Sequence, residues 1–579
     1  MEMTTRTRDP SLIELFTPKL VSVLREGYGS AELRADLVAG LTVAIVALPL
    51  SMAIAIASGV TPDRGLYAAI IGGFIVSALG GSRFQIGGPA GAFIVLVAAT
   101  VEIHGVDGLL LATMLSGMIM LVIGFLRLGT FIKYIPYPVT VGFTSGIAVI
   151  IFASQIRELF GLTLTSEPGP LLPKLLALAE ALPTANPMSA AIAAASVGII
   201  VLMRRYRPHW PAFLIAVACA AMLTWILGLP VETIGTRFGG IPSSLPMPHL
   251  PPLSIDKVLA VLPSALSFAL LGSIESLLSA VVADSMTGRR HRSNCELVAQ
   301  GVANVAAPLF GGICVTGTIA RTATNVRSGA HGPVAGMLHA LFLLLFMLVA
   351  APLASYIPLA ALAGVLAVVA WNMAEKHEFV VLLRASRGDA LVVGTTFLLV
   401  VFRDLTEGIL VGFGLGALLF LHRMSETIEV ESSASMANRD VADRTNGDRP
   451  PYDPALATDS EVIVYRISGA FFFGAAATVA MALDRIGEHP KAYVIDFSAV
   501  PVLDSTAAAT IGGVVRRARG QDARVYIAGA RPAIRRMLLT HGVRPPLVRF
   551  KPTVDEAVAS AHRGFAATPG ELAAGAGNG

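Results

Sequence analysis

Charge is what this chain has least of. Only 14% of its 579 residues are Asp, Glu, Lys or Arg, against about 25% in an ordinary soluble domain. A soluble fold of this length needs a far larger polar shell, so the shortage excludes one. The 43 basic and 39 acidic residues leave a formal charge of +4, too small for a nucleic-acid surface, and no nucleic-acid partner is expected. Cysteine is equally scarce. Cys219, Cys295 and Cys314 show no paired spacing, hence no disulfide framework and no metal motif. Also missing are a clustered His/Glu set, a nucleophile motif and a P-loop. An enzyme and an ATP-driven pump are therefore set aside, and neither a cofactor nor a bound metal is expected.

What is present is apolar sequence: 54% of the residues are hydrophobic and the mean hydropathy is +0.70. The lipid bilayer is the solvent this implies. Residues 1–35 form a polar N-terminal segment, too long before the first apolar run to be a cleaved signal. The membrane part is 36–424. It divides into about fourteen segments near the ~20 residues a spanning helix needs, or shorter where broken: 37–58, 66–80, 89–103, 107–126, 138–157, 187–203, 211–228, 258–285, 296–310, 317–328, 333–354, 357–373, 388–402 and 407–421. Basic residues follow the even-numbered segments: Arg204, Arg205 and Arg207, then Arg289, Arg290 and Arg292, then Lys376, Arg384 and Arg387, then Arg423. The positive-inside rule then puts both termini in the cytoplasm of a multi-pass inner (plasma) membrane protein.

The composition changes at Ser425. Residues 425–460 read as a polar linker. From 461 to 563 strands and helices alternate, which makes a small soluble α/β domain. Strands are expected at 461–467, 492–497, 524–529 and 547–550, and helices at 474–486, 505–519, 531–540 and 553–562. Residues 564–579, rich in Ala and Gly, read as a disordered tail.

Two short segments carry the chemistry. QIGGPAGAF (85–93) and ICVTGTIARTATN (313–325) each put glycine and small residues just before a helix too short to span. Non-helical backbone survives at membrane depth only in protein or beside a cavity. A pair of such breaks in two halves points to a midplane site, where free N–H groups and positive helix ends attract an anion. The competing reading is tight helix packing through small residues. Arg321, followed by Thr322 and Thr324, puts a costly cation at this depth, as a partner for the anion or as a snorkelling side chain. Glu275 lies in SFALLGSIESLLSAVVAD (267–284), where Gly272, Glu275, Ser276 and Ser279 share one helical face. Its carboxyl can carry a proton, hold a cation or neutralise Arg321. Glu102 and His104 sit at a segment end and face water. In the soluble domain Asp504-Ser505-Thr506-Ala507 opens a helix. A residue there is first an N-cap, and the hydroxyls of Ser505 and Thr506 are candidates for phosphorylation.

The run ALPLSMAIAIASGVTPDRGLYAAIIGG (47–73) resembles the signature of the SulP anion transporters. The resemblance continues through GGPAGAF, GSIESLLSAVVADS and the TGTIARTATNVRSG run at 316–329. The C-terminal domain resembles a STAS domain, with the DSTA turn where anti-sigma-factor antagonists carry their phosphorylatable serine. The resemblance implies a seven-plus-seven inverted repeat divided into core and gate domains. It places an anion between the starts of the third and tenth helices, on Ala90, Gly91, Gly317, Thr318 and Ile319, with Arg321 beside it. Sodium–bicarbonate members hold Na⁺ with an aspartate and a threonine where this chain has Glu275 and Ser279, and Ile319 replaces a further threonine. That departure favours proton coupling through Glu275. It further implies a homodimer and a cytoplasmic partner for the STAS domain.

The functional expectation is secondary active transport of a small anion, sulfate first, by proton symport. C4-dicarboxylate carriage and bicarbonate or chloride transport or exchange are alternatives on the same fold. From another class comes a membrane-tethered STAS sensor or scaffold. The costly polar groups at the midplane count against it, because an anchor does not need them.

Overall fold

The computed structural model describes residues 12–130, 135–164, 168–207, 210–432, 461–484 and 490–566. The expected linker falls largely outside the described residues, as do the first eleven residues and most of the expected tail. The chain divides between Gly416 and Ala417 into two compact units.

The first unit is helical. Among the described residues eight helices are long and apolar enough to cross a membrane: Ser30–Ala57, Gly91–Phe125, Tyr137–Phe160, Pro187–Tyr206, Ile255–Thr287, Val334–Ala354, Leu359–Ala385 and Leu405–Glu426. The remaining expected segments are shorter helices: Pro62–Tyr67 continued by Gly73–Leu79, Ala212–Leu227, Ser293–Leu309, Ile319–Arg327 and Arg387–Phe402. The expected segments 89–103 and 107–126 are two arms of one helical stretch. Gly105, at φ 69° and ψ −176°, breaks it between them. Glu102 is exposed and His104 half-buried beside that break. A helix at Leu171–Ala181 occupies what reads in the sequence as a loop. Prolines and glycines surround it, and its eleven residues are too few to register as a span.

The helices form two groups. In one, Ser30–Ala57, Ile94–Phe125, Ile255–Thr287, Ser293–Leu309, Ile319–Arg327 and Val334–Ala354 pack on each other. In the other, Tyr137–Phe160 packs with Leu359–Met373 and Arg387–Phe402, and Pro187–Tyr206 with Ala212–Leu227 and Leu359–Met373. Each group draws on both halves of the chain, as an inverted repeat requires. Small residues permit the closest approaches. A Cβ on Gly301 would lie 2.7 Å from the Gly117 carbonyl, so Ser293–Leu309 and Ile94–Phe125 touch backbone to backbone. Two very short strands, β1 (Gly87–Gly88) and β2 (Thr316–Gly317), pair inside the first group.

The second unit holds a five-stranded sheet. Its strands are β3 (Glu429–Ser432), β4 (Val462–Ser468), β5 (Ala492–Asp496), β6 (Arg524–Ala528) and β7 (Arg549–Lys551), side by side in that order. β3 runs antiparallel to β4 and the other pairs are parallel. Helices Phe473–Asp484, Ser505–Gly520 and Pro532–Thr540 cover one face, over a core that includes Phe471, Phe497 and Ile511. Val554–Ala566 covers the other, over Val494 and Tyr526. The expected α/β alternation is present. The linker reading is corrected at Glu429–Ser432, a short strand of alternating polar residues that completes the sheet edge. Such a strand carries little apolar signal, which is why composition misses it.

Candidate functional site

Two helices start opposite one another inside the first group. One is the 3-10 turn Gly91–Phe93, which runs on into Ile94–Phe125; the other is Ile319–Arg327. Extended chain leads into each, with Ala90 at φ −118°, ψ 147° and Thr318 at φ −99°, ψ 120°. These approaches pair as the two-residue antiparallel bridge of β1 and β2, with Gly87 opposite Gly317 and Gly88 opposite Thr316. The bridge gives buried extended backbone the partners it must have at membrane depth. The Thr318 N–H donates to the Ile86 carbonyl at 3.0 Å. Among the described residues no side chain caps either helix start.

The first N–H groups of a helix have no acceptor within it. Among the described residues those of Gly91 and Ala92, and of Ile319 and Ala320, have no acceptor and are open, whereas that of Thr318 is already used. Ala90 is buried and Gly91 half-buried, while Ile319 and Ala320 are exposed. A Cβ on Gly91 would meet the Ile151 Cδ1 at 3.4 Å and the Met373 Sδ at 3.6 Å. The first helix start thus faces Tyr137–Phe160 and Leu359–Met373 of the second group. A cavity of about 660 Å³ adjoins, lined by Ile94, Leu96, Leu362 and Leu366 together with Glu102, Arg157, Lys174 and Arg403.

Arg321 is 1% exposed and does not snorkel. Its side chain runs back toward its helix start, the usual direction on a helix. Its Nη2 donates to the Ser51 hydroxyl at 3.1 Å and to the Pro89 carbonyl at 3.2 Å. Its Nη1 lies where a Cβ on Gly88 would come within 2.2 Å, so a larger residue there would push the guanidinium aside. Among the described residues, Nε and Nη1 have no protein partner. Glu275 is half-buried and its Oε2 likewise lacks a partner. Among the described residues no ion pair joins it to Arg321; the two interact only through space.

The face predicted on Ile255–Thr287 turns toward the bridge. The Gly272 carbonyl accepts from the Thr316 hydroxyl at 3.0 Å. Ser276 accepts from Gln85 Nε2 at 2.7 Å. Ser279 donates to the Thr322 hydroxyl at 3.0 Å, and that oxygen accepts from the Ile86 N–H at 3.1 Å. Gly317 lies directly under Gln85: a Cβ there would come 1.9 Å from Nε2. Ser279 is therefore a fixed part of the site's frame. The sequence reading misses Gln85, Thr322 as a frame residue, and the buried Glu296, Gln300 and Asn304. A signal for the last three exists as polar residues spaced by four, in ELVAQGVAN, within an apolar helix.

In the second unit Asp504 is the N-cap of Ser505–Gly520 and accepts from the Ala507 N–H at 2.8 Å. Its other oxygen accepts from the Phe473 N–H at 2.8 Å. Ser505 and Thr506 stand exposed on the first turn of that helix. Among the described residues no group of His, Cys, Asp and Glu could hold a metal.

The sulfate permease family model matches residues 33–396. This chain belongs to the sulfate permease family. A STAS domain model matches residues 453–557, within the second unit. Three relatives show the range of this family. The putative sulfate transporter YvdB of Bacillus subtilis is 38% identical over 525 residues, covering 90% of this chain and 95% of its own. The bicarbonate transporter BicA of Synechocystis is 32% identical, covering 87% and 90%. The sodium-independent sulfate anion transporter of Bos taurus is 26% identical, covering 88% and 85%. The solved murine Slc26a9 anion transporter, in its inward-facing state, shares the fold at 18% identity, with a TM-score of 0.82 over 97% of this chain and 96% of that one. This sulfate permease family member is thus a multi-pass helical membrane protein that ends in a STAS domain.

Proposed function

We propose that this chain is a secondary active transporter, not an enzyme, and that it carries sulfate across the inner (plasma) membrane together with protons. One observation carries the reading: two uncapped helix starts, each bare of side-chain acceptors, are strapped together by the Gly87–Gly88/Thr316–Gly317 bridge. Such starts are anion sites by their N–H groups and their dipoles. In this reading the loop Ala90–Gly91 and the loop Gly317–Thr318–Ile319 enclose the anion. The open N–H groups of Gly91, Ala92, Ile319 and Ala320 donate to it, and Arg321 supplies positive charge from behind. Glu275 carries the proton. An arriving anion favours a protonated neighbour, and a proton on Glu275 favours the anion, by the same factor. Ser279 orders the frame through Thr322. A sodium site is not invoked, since Ile319 offers no side-chain oxygen.

The same reading assigns roles along the chain. Residues 36–424 are the transporter domain, 425–460 join it to the STAS domain at 461–563, and 564–579 are a tail. Both termini lie in the cytoplasm, and the protein works as a homodimer. The STAS domain meets a cytoplasmic partner, with Ser505 and Thr506 open to phosphorylation. A second reading, bicarbonate as the anion, is favoured by the identity to BicA.

The test is uptake by purified full-length protein in proteoliposomes, with labelled sulfate, bicarbonate, succinate and chloride compared. Sulfate uptake that rises when the outside is acidified and ignores Na⁺ is the expected result. Na⁺-driven bicarbonate uptake would replace the leading reading with the second. No uptake of any of the four would return the protein to a sensor or scaffold role.

A further inference from the structure

Ser293–Leu309 touches neither open helix start with a donor, yet it holds the chain leading into both. Glu296 is 0% exposed and among the described residues has no cationic partner. Its Oε1 accepts from Gln85 Nε2 at 2.9 Å and from Gln300 Nε2 at 3.3 Å. Its Oε2 accepts from the Ser82 N–H at 3.0 Å. Two turns on, Asn304 grips Val315 as a strand would. Its Nδ2 donates to the Val315 carbonyl at 2.7 Å, and its Oδ1 accepts from the Val315 N–H at 2.8 Å. Glu296, Gln300 and Asn304 share one face by their spacing of four. Eight residues of helix set the two grips about 12 Å apart along its axis. Residues 82–85 precede the first helix start, and Val315 precedes the second.

A carboxylate buried among uncharged donors is an expensive way to fasten a helix, and an apolar residue of similar size would serve folding at least as well. Ser293–Leu309 has another fastening in the Gly301–Gly117 backbone contact. What Glu296 adds is acceptance on both oxygens, which an amide cannot provide. It thereby fixes Gln85, whose Nε2 also reaches Ser276 beside Glu275 and covers Gly317. We infer that Glu296 and Asn304 are positioning residues for the anion site: one rigid helix sets the register of both approaches, and so the spacing of the two sets of open N–H groups. The inference rests on the anion reading of those helix starts.

The experiment exchanges the two ends of one hydrogen bond. Full-length wild type, Glu296→Gln, Gln85→Glu, the double variant Gln85→Glu/Glu296→Gln, and Asn304→Asp are reconstituted, and KM and kcat are measured for labelled sulfate, with bicarbonate as a second probe. Gln85→Glu and Asn304→Asp set oxygen against oxygen, and Glu296→Gln, with one acceptor oxygen in place of two, leaves either the Gln85 or the Ser82 donor facing an amide N–H. KM should rise about tenfold, the effect of one charge-assisted bond lost from the frame, with kcat within about threefold. The double variant restores a donor–acceptor pair between positions 85 and 296, and KM should return to within about threefold of wild type. Inserted single variants with wild-type KM overturn the proposal. So does a double variant no better than the singles, which would make Glu296 a folding residue only. Should Glu296→Gln fail to insert, Asn304→Asp decides the matter, because unchanged KM there equally overturns the proposal. Wild type that transports none of sulfate, bicarbonate, succinate and chloride defeats the anion reading itself, and is seen before any variant is compared.

Discussion

Arg321 reaches back past its own helix start to the chain leading into the other. Its guanidinium ties the Pro89 carbonyl of the first approach to Ser51 of Ser30–Ala57, and leaves Nε and Nη1 open. Removing it takes away both a positive charge and a tie on the facing loop. Arg321→Ala should therefore weaken anion affinity by about ten- to a hundredfold, the ~1.5–3 kcal/mol of a charged hydrogen-bonding group. Arg321→Lys, a point charge without the planar fork, should fall between. Anion-dependent thermal stabilisation of the purified variants measures both; equal affinity in all three would leave Arg321 a purely structural role. Glu275 makes a different prediction, because among the described residues its Oε2 has no partner to lose. Glu275→Gln keeps the shape and fixes the neutral form. It should bind and exchange sulfate near the wild-type level yet fail to accumulate it against a gradient when the outside is acidified. A Glu275→Gln protein that still accumulates sulfate under a proton gradient would move the coupling elsewhere. The charge and depth of both residues are readable from the sequence. The direction of the Arg321 side chain is not, because it depends on which loop crosses behind the helix.

At the scale of elements, the bridge explains why glycine stands at Gly317. A Cβ there would strike Gln85 Nε2, and Gln85 cannot swing aside without giving up Ser276 and Glu296. Gly317→Ala should insert and express normally yet lose most anion uptake. The loss should be partly relieved by Gln85→Ala, which clears the space. Normal uptake by Gly317→Ala would show that Gln85 moves freely. The two helix starts are legible in the sequence because glycine and small residues interrupt apolar runs at 85–93 and again at 313–325. Their antiparallel pairing is not, since two-residue strands have no periodicity to read. Glu296 and Asn304 are equally hidden: within one helix their spacing marks a polar face, but not which distant loops that face holds. Gly105 shows the opposite limit. Two apolar segments with a polar stretch between them give the right arms, while the residue that breaks the helix is set by backbone geometry alone.

At the scale of the whole molecule, the chain carries a second fold whose edge begins before its main sequence signal. β3, Glu429–Ser432, lies against β4 and shields an edge that would otherwise be open. A soluble fragment starting at 427 should therefore unfold at a higher temperature than one starting at 461, by several degrees for ~1 kcal/mol in a domain of this size. The shorter fragment should also associate more readily. Circular dichroism melts and light scattering of the two compare them directly, and identical melts would make β3 dispensable. The α/β order of this unit is legible from alternation. Its edge strand is not, because EVES is polar at three of its four positions and sits among linker-like residues.

The antiparallel bridge also bears on direction. Antiparallel strands are related by a local twofold axis, and here that axis passes between Gly87–Gly88 and Thr316–Gly317. The helix starts that follow are brought together by that bridge, one entered from each half of the chain, and they differ in exposure: Gly91 is half-buried, whereas Ile319 and Ala320 are exposed. On the reading proposed above, a guest anion held between them takes donors from both halves of the chain at once. A proton-coupled carrier of the kind proposed above would follow the combined gradient of anion and proton, and a cell that reverses that gradient would reverse the carrier too.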